Sequence, residues 1–444
     1  MRSAWTRASR SLRFGRDVTL IYAGYKWTQR RSRDLTAEAR EQAYEREHTR
    51  AAKRLYRLAV DLKGLNIKTG QFIGTRADLA PPAYVEWLGK LQDHVPPRPF
   101  GLVRRIVEQE LGEPLGQLFS SFEREPLGAA SLAQVHRATL PDGREVAVKV
   151  QYPEVERLVR IDLANTTCVV NLLARTEPNF DYRSVLAELS VEVPRELDFV
   201  REGRMLRRVS ANLARLDGIV LPEVIDGYNT RRVLVTTYLH GVNVRDIEAI
   251  RAMGVEPERV AWLLAAAYGH QILGDGVFQA DPHPGNILVL PDGRVGLIDF
   301  GLVKELPSEV RAGVADLVIA AAEQDPVRIL AAFERLGVRT KHDEHSSILS
   351  LVRLMFDERP LFGSHIAKQA DQALRYNPVN AIPSDIVLFG RVIGLLRGVS
   401  ASLNVSFTPM QMLLPYAAAL RDGRPPPTAV GPLASGDGVS DVAG

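Results

Sequence analysis

Two short stretches of this chain carry residue types that can act together chemically: Asp281-Pro282-His283-Pro284-Gly285-Asn286 and Asp299-Phe300-Gly301. An Asp and an Asn five positions apart on a loop stiffened by Pro and Gly, followed by a DFG, have the layout of a phosphoryl-transfer centre. That chemistry needs one carboxylate to orient or deprotonate the nucleophile, and oxygen ligands that hold Mg2+ against the phosphates of ATP. Asp281 suits the first role, and Asn286 and Asp299 suit the second. Residues 287–290 and 294–298 read as a hairpin turned at Pro291-Asp292-Gly293, which would carry Asp299 back beside Asn286. A lone DFG says little; the ordered pair in this strand context is specific.

Other elements must position these groups. Glu145-Val146-Ala147-Val148-Lys149-Val150 reads as a strand, interrupted by Lys149 where a kinase places the lysine that pairs with the α- and β-phosphates. An unpaired buried ammonium is costly, so Lys149 calls for a carboxylate. Glu202, on a helix expected to open at Glu196 just after Pro194, is the expected partner. Residues 126–136, including Gly128-Ala129-Ala130-Ser131, link one strand to the next. Residues 219–221 and 232–238 give two more strands, and Leu239-His240-Gly241 reads as a hinge. Helices are expected at 260–273, 308–322, 326–336, 346–356, 384–396 and 409–420. Ahead of the strands, residues 35–62 and 84–91 read as helices, and Lys68 and Gln71 fall on one helical face; by themselves they read as surface. Strands first and helices later predict an α+β, bilobal kinase-like fold with a helical N-terminal extension. The expected division is a basic arm (1–33), a helical extension (34–115), an N-lobe (116–238), a helical C-lobe (239–420) and a disordered tail (421–444).

Composition is that of a soluble globular protein: 444 residues, 45% hydrophobic and 25% charged, with net charge +3. The charge is uneven, because residues 1–33 hold nine Arg and Lys against Asp17 alone. Trp5, Leu12, Phe14, Val18, Leu20, Ile21, Tyr22, Tyr25 and Trp27 lie among those cations. Such an arm can lie on an anionic membrane surface, contact nucleic acid or stay solvated; no nucleic-acid partner is expected. No segment approaches the ~20 apolar residues of a membrane span, and the arm lacks the apolar core of a secretory signal. One cysteine, Cys168, excludes an intramolecular disulfide and reads as a small core residue in a reducing cytoplasm. The expected location is cytoplasmic, or peripheral at a membrane.

Over residues 60–410 the chain resembles the UbiB family of atypical kinases, also called aarF-domain-containing kinases. Lys68-Thr69-Gly70-Gln71 matches that family's KxGQ motif, and Glu196-Leu197-Asp198 its ExD motif. Gly128 to Ser131 stands where the family has an alanine-rich loop, and the Asp281 and Asp299 stretches match its active site. The resemblance implies that the KxGQ helix folds over the active site, so that Lys68 and Gln71 face the nucleotide and Glu196 and Asp198. It implies a nucleotide held by Gly128, Ala129, Ala130, Ser131 and Lys149, although Gly128 departs from the alanine-rich pattern towards ordinary kinases. It further implies a role in making or handling isoprenoid quinones or related prenyl lipids, by ATPase rather than peptide-kinase activity.

Two features point away from peptide substrates without any family. Six residues, Leu302 to Pro307, separate Gly301 from the next expected helix, and no APE follows. The usual HRD is Gln279-Ala280-Asp281, with no arginine to receive an activating phosphate. Water or a lipid hydroxyl is the expected acceptor. Two alternatives stay open: phosphotransfer to a small molecule, and a nucleotide-gated lipid-binding module with little turnover. His136, His240 and His283 read as hydrogen-bonded structural histidines, and magnesium at Asn286 and Asp299 is the one metal expected.

Overall fold

The computed structural model describes residues 2–75, 81–91, 97–130, 132–176, 183–340, 352, 356, 379–381, 383–405 and 408–428. The chain forms two compact units, Met1–Arg201 with Ile225–Thr237, and Glu202–Val224 with Tyr238–Gly444. Elements are numbered along the chain.

In the first unit Val146, Val148 and Val150 are fully buried, while Ala147 and Lys149 between them are half-buried. This alternation is what a strand with one covered face requires. β1 (Ser121–Ala129), β2 (Ala133–Thr139), β3 (Glu145–Gln151) and β5 (Val233–Thr237) form an antiparallel sheet in the order β1-β2-β3-β5. Helix α5 (Phe100–Leu111) covers it, its Val103, Ile106 and Val107 packing in one core with the β3 valines and with Val233 and Val235. Each such side chain contributes roughly 1.5–3 kcal/mol of burial. The same pleat turns Lys149 to the opposite face. Strand β1 runs through Gly128 to Ala129, so the link to β2 is confined to 130–132 rather than the longer stretch expected.

The expected basic arm is a helix, α1 (Arg2–Arg31), and the solvated-tail reading is overturned by what it buries. Arg10 donates from Nε and Nη2 to Asp162 at 2.6 Å each, and from its two terminal nitrogens to the carbonyls of Leu62 and Lys63. Asp17 takes Arg54 at 3.0 Å, and Tyr25 Oη meets His48 Nδ1 and Tyr84 Oη at 2.6 and 3.1 Å. These contacts bind α1 to α2 (Ala37–Leu62), α4 (Pro82–Leu88) and α7 (Val155–Thr176). Leu12, Leu20 and Trp27 remain on the outer face. Helix α3 (Leu65–Thr75), which carries the KxGQ residues, lies on α4: a Cβ at Gly70 would stand 2.3 Å from Leu91 Cδ1. The motif's glycine is thus a close-approach residue. Asn66, in the first turn of α3, also donates to Asp162 at 3.0 Å.

Two local expectations are corrected. Cys168 is exposed, because α7 turns Val155, Val159, Asp162 and Val170 inward and position 168 falls on the outer side. The helix expected to open at Glu196 is two helices: α8 (Arg183–Glu196) contains Pro194 and ends at Glu196, and α9 (Phe199–Leu213) begins after a break capped by Asp198.

In the second unit β4 (Ile219–Val220), β9 (Val295–Leu297), β8 (Ile287–Val289) and β6 (Val242–Asn243) form a four-stranded sheet in that order. β7 (Val277–Gln279) pairs antiparallel with β10 (Val303–Glu305). Around them pack α10 (Ile247–Ala252), α11 (Pro257–Gly269), α12 (Ser308–Ala322), α13 (Pro326–Arg335), α14 (Ser384–Ser402) and α15 (Pro409–Arg421). One core joins Leu264, Phe278, Phe300, Val318, Phe333, Phe389 and Leu413. The helix expected at 346–356 lies outside the described residues save Val352 and Phe356, and of the expected tail only 421–428 is described.

Arg10→Met leaves the Asp162 carboxylate buried beside Asn66 alone, and should cost about 3 kcal/mol or more in chemical denaturation, with Arg10→Met/Asp162→Leu recovering much of it. His136 is fully buried, with Nδ1 on Glu123 O and Nε2 at Gln134, and burial holds its imidazole below the usual histidine range. The unfolded chain therefore takes up this proton first as pH falls, so stability is lost below about pH 6.5. The stability advantage of wild type over His136→Gln should shrink between pH 7 and 5 in parallel denaturation curves.

Candidate active site

The Asp281–Asn286 loop is held at both ends by strand pairing. Before it, Gln279 is opposite Val303 and Phe278 opposite Lys304. After it, Ile287 is opposite Leu297 and Leu288 opposite Gly296, with Leu290 and Arg294 closing the turn as the sequence predicts. Ile298 N donates to Asn286 O at 3.1 Å, which sets Asp299 one residue from the level of Asn286.

Side chains reinforce this frame. Gln279, 1% exposed, donates from Nε2 to Asp299 O and accepts at Oε1 from Tyr268 Oη, while its own N–H donates to Gln271 Oε1 at 3.0 Å. Burial and the nearby Asp281 charge push the Tyr268 phenol far above its ordinary range, so it stays a donor. Asn286 Nδ2 turns inward to Asp281 O at 3.4 Å, which points its Oδ1 the other way. Asp299 Oδ1 accepts from Gly301 N at 2.9 Å. His283 Nδ1 accepts from Gly285 N at 3.1 Å, so this histidine braces its own turn. An amide oxygen and a carboxylate are the hard donors that magnesium takes. Among the described residues no group of three His, Cys, Asp or Glu forms a metal cluster.

Glu202 is buried in the same unit against the DFG glycine: a Cβ at Gly301 would stand 3.3 Å from Asp299 Oδ1 and 3.7 Å from Glu202 Oε2. The second unit thus gathers Glu202, Asp281, Asn286 and Asp299. The first gathers a different set. Lys149 Nζ lies 5.2 Å from the ring centre of Phe199, which follows the ExD segment directly. Gln151, two residues along β3, donates to Leu197 O at 2.9 Å, tying ExD to that strand. Lys68 Nζ reaches Glu196 Oε2 at 3.5 Å, so it is not the solvated lysine its isolated spacing suggests. Asp198 spends Oδ1 on the N–H groups of Val200 and Arg201. Gln71 lies on α3 with its side chain outside the described residues. Gly128, Ala129 and Ala130 form the end of β1 and its turn, closed by Ala130 N to Ala133 O at 2.8 Å; Ser131 lies outside the described residues.

Gln279 stands in the motif itself, but nothing in the local sequence marks it as a strut, and Tyr268, Gln271 and Arg391 carry no sequence signal. Arg391 Nη2, from α14, donates to Asp281 Oδ1 at 2.9 Å across a separation of 110 positions. No spacing rule reaches that far.

A model of the ABC1 atypical kinase-like domain matches residues 90–333. The chain belongs to the ABC1 atypical kinase-like family. The AarF domain-containing kinase 1 of Drosophila melanogaster is 35% identical over 422 residues, covering 90% of this chain and 79% of the relative. AarF domain-containing protein kinase 1 of Xenopus laevis is 31% identical over 411 residues, covering 88% and 79%. Protein ACTIVITY OF BC1 COMPLEX KINASE 7, chloroplastic, of Arabidopsis thaliana is 31% identical over 80% of this chain and 52% of its own length. Among solved structures, the complex of Rv3197 with erythromycin from Mycobacterium tuberculosis superposes with TM-score 0.59 at 27% identity, covering 84% of this chain and 97% of the other. The chain is therefore an atypical kinase of the ABC1/AarF type, as its KxGQ and ExD motifs suggest, and the kinase-like α+β fold holds.

Two glycines of this ABC1-family chain should respond differently to alanine. At Gly241 a Cβ would meet Val289 O, a backbone atom, at 2.8 Å; at Gly301 its nearest neighbour is the end of a side chain at 3.3 Å. Thermal unfolding should show a loss of about 2 kcal/mol for Gly241→Ala and under about 1 kcal/mol for Gly301→Ala.

Proposed function

We propose that this ABC1-family protein binds Mg-ATP and transfers its γ-phosphoryl group to water or to a lipid hydroxyl, in support of isoprenoid quinone or prenyl-lipid synthesis or handling. The observation that carries the reading is the frame that fixes Asp281, Asn286 and Asp299, with the chain returning to β7 directly after the DFG. Val303, two residues beyond Gly301, is already paired with Gln279, and α12 begins at Ser308, so little chain remains to seat a peptide. That argues for a smaller acceptor.

In this reading Asp281 orients the acceptor hydroxyl and takes its proton as the new P–O bond forms and the bond to the ADP oxygen breaks. Asn286 Oδ1 and Asp299 are the groups for magnesium, which when bound neutralises phosphate charge. Lys149 holds the α- and β-phosphates, Glu202 supports the DFG end, and Gly128, Ala129, Ala130 and Ser131 lie over the nucleotide. Lys68 and Gln71, with Glu196 and Asp198, screen the nucleotide from large substrates. The mycobacterial relative is solved in complex with erythromycin, a ligand that is not a peptide.

The outer face of α1 supports peripheral membrane contact. Leu12, at 73% exposure, and Trp27, at 63%, stand among Arg13, Arg16, Arg30 and Arg31, an arrangement that suits an anionic lipid surface. No described helix is long and apolar enough to cross a membrane.

Purified protein with magnesium and ATP should release phosphate, with the rate lowered at least about 100-fold in Asp299→Asn and in Lys149→Ala. Vesicles rich in anionic lipid should retain wild type and release a Leu12→Glu/Trp27→Glu variant in flotation. Equal phosphate release by wild type and Asp299→Asn would reject the enzymatic reading.

A further inference from the structure

The charge that meets Asp281 does not come from its own neighbourhood in the chain. No lysine or arginine occurs between Gln279 and Asn286. Arg391 supplies it from α14, with Nη2 2.9 Å from Oδ1 and both side chains half-buried. The helix is firmly seated there: Phe389 and Val392 are fully buried and Ile393 nearly so, all in the core of the second unit. Arg391 Nε is buried beside it without a hydrogen-bond partner among the described residues, and the hydrogen bond of Nη2 goes to the carboxylate. The same helix reaches β10 through Asp385, which lies 3.8 Å from Lys304 Nζ. Exposed arginine pairs on mobile side chains gain little; a guanidinium delivered by a rigid helix can hold one rotamer of its partner.

We propose that Arg391 is the positioning residue of Asp281, holding the carboxylate through Oδ1 and balancing its charge so that Oδ2 is presented to the acceptor hydroxyl. This rests on the phosphoryl-transfer reading of Asp281 given above. Arg391 acts through Asp281, so its loss should lower turnover without weakening nucleotide binding.

The test is steady-state ATP hydrolysis by full-length wild type, Arg391→Met, Arg391→Lys, Asp281→Asn and the Asp281→Asn/Arg391→Met pair. Binding of a fluorescent ADP analogue with magnesium is measured on each. Arg391→Met should lower kcat about 10- to 100-fold, the cost of a displaced reacting group, with the analogue's Kd and the KM for ATP unchanged. Arg391→Lys, which keeps the charge, should recover part of kcat. In the Asp281→Asn background Arg391→Met should change the residual rate by less than about twofold, since the two groups act as one unit. A merely structural role would instead lower the melting temperature and subtract from both backgrounds alike. Should Arg391→Met fail to fold, the split between kcat and KM is read on Arg391→Lys. Wild-type kcat in Arg391→Met, or a further tenfold loss in the Asp281→Asn background, would overturn the assignment while leaving the enzymatic reading intact. A wild type inert toward ATP would overturn both.

Discussion

The second unit depends on one buried amide. Gln279 is sealed from solvent and uses its side chain in two directions, to the Tyr268 hydroxyl and to the backbone of Asp299, while its main chain pairs with Val303. A buried amide left short of partners is costly, so every group it touches is constrained in turn. Through it the segment before Asp281, the DFG and the strand after the DFG are tied to one another. Gln279 stands where kinases usually have a histidine, and its amide accepts from the phenol at Oε1 while donating to the carbonyl from Nε2.

The first unit has its own point of dependence in the Arg10–Asp162 pair, with Asn66 as the third member. Its partners are an N-terminal helix, a helix beyond the sheet and the first turn of the helix that carries Lys68. Burial raises the Asp162 carboxyl above its ordinary range even with a guanidinium against it. Such a site is poor evidence of net stability, but it is strongly specifying, because any displacement of α1 leaves a carboxylate in the interior. The basic N-terminus is thus an integral part of the helical extension, with Leu12, Leu20 and Trp27 on its exposed face.

Much of this was legible from local pattern. The hairpin at 287–297, the strand bearing Lys149, the helices at 37–62 and 308–322, and the short return after Gly301 all follow from periodicity, turn residues and length. The KxGQ and ExD residues could be named, and the Lys68–Glu196 contact brings one of each together. What local pattern does not determine depends on the partner rather than the segment. Cys168 sits in an apolar run, yet the face of α7 that is covered is decided by Leu189 and Val193 of another helix. Pro194 reads as a helix start, but the chain continues helical through it and breaks only at Leu197 and Asp198, where Gln151 captures Leu197 O. Arg391 has no motif around it at all.

The segment that identifies the family ends at Phe333, and Phe333 is fully buried in a core that continues through Phe389 to Leu413 and Ala417. The matched domain therefore ends in the middle of a hydrophobic interior rather than at a seam. The hydrophobic core extends well beyond that boundary, and likeness to whole relatives runs on with it, over 90% of the chain for the Drosophila kinase. The C-terminal helices lie outside the matched domain yet complete its hydrophobic packing, so the part of the molecule without a motif closes the unit holding the motif residues.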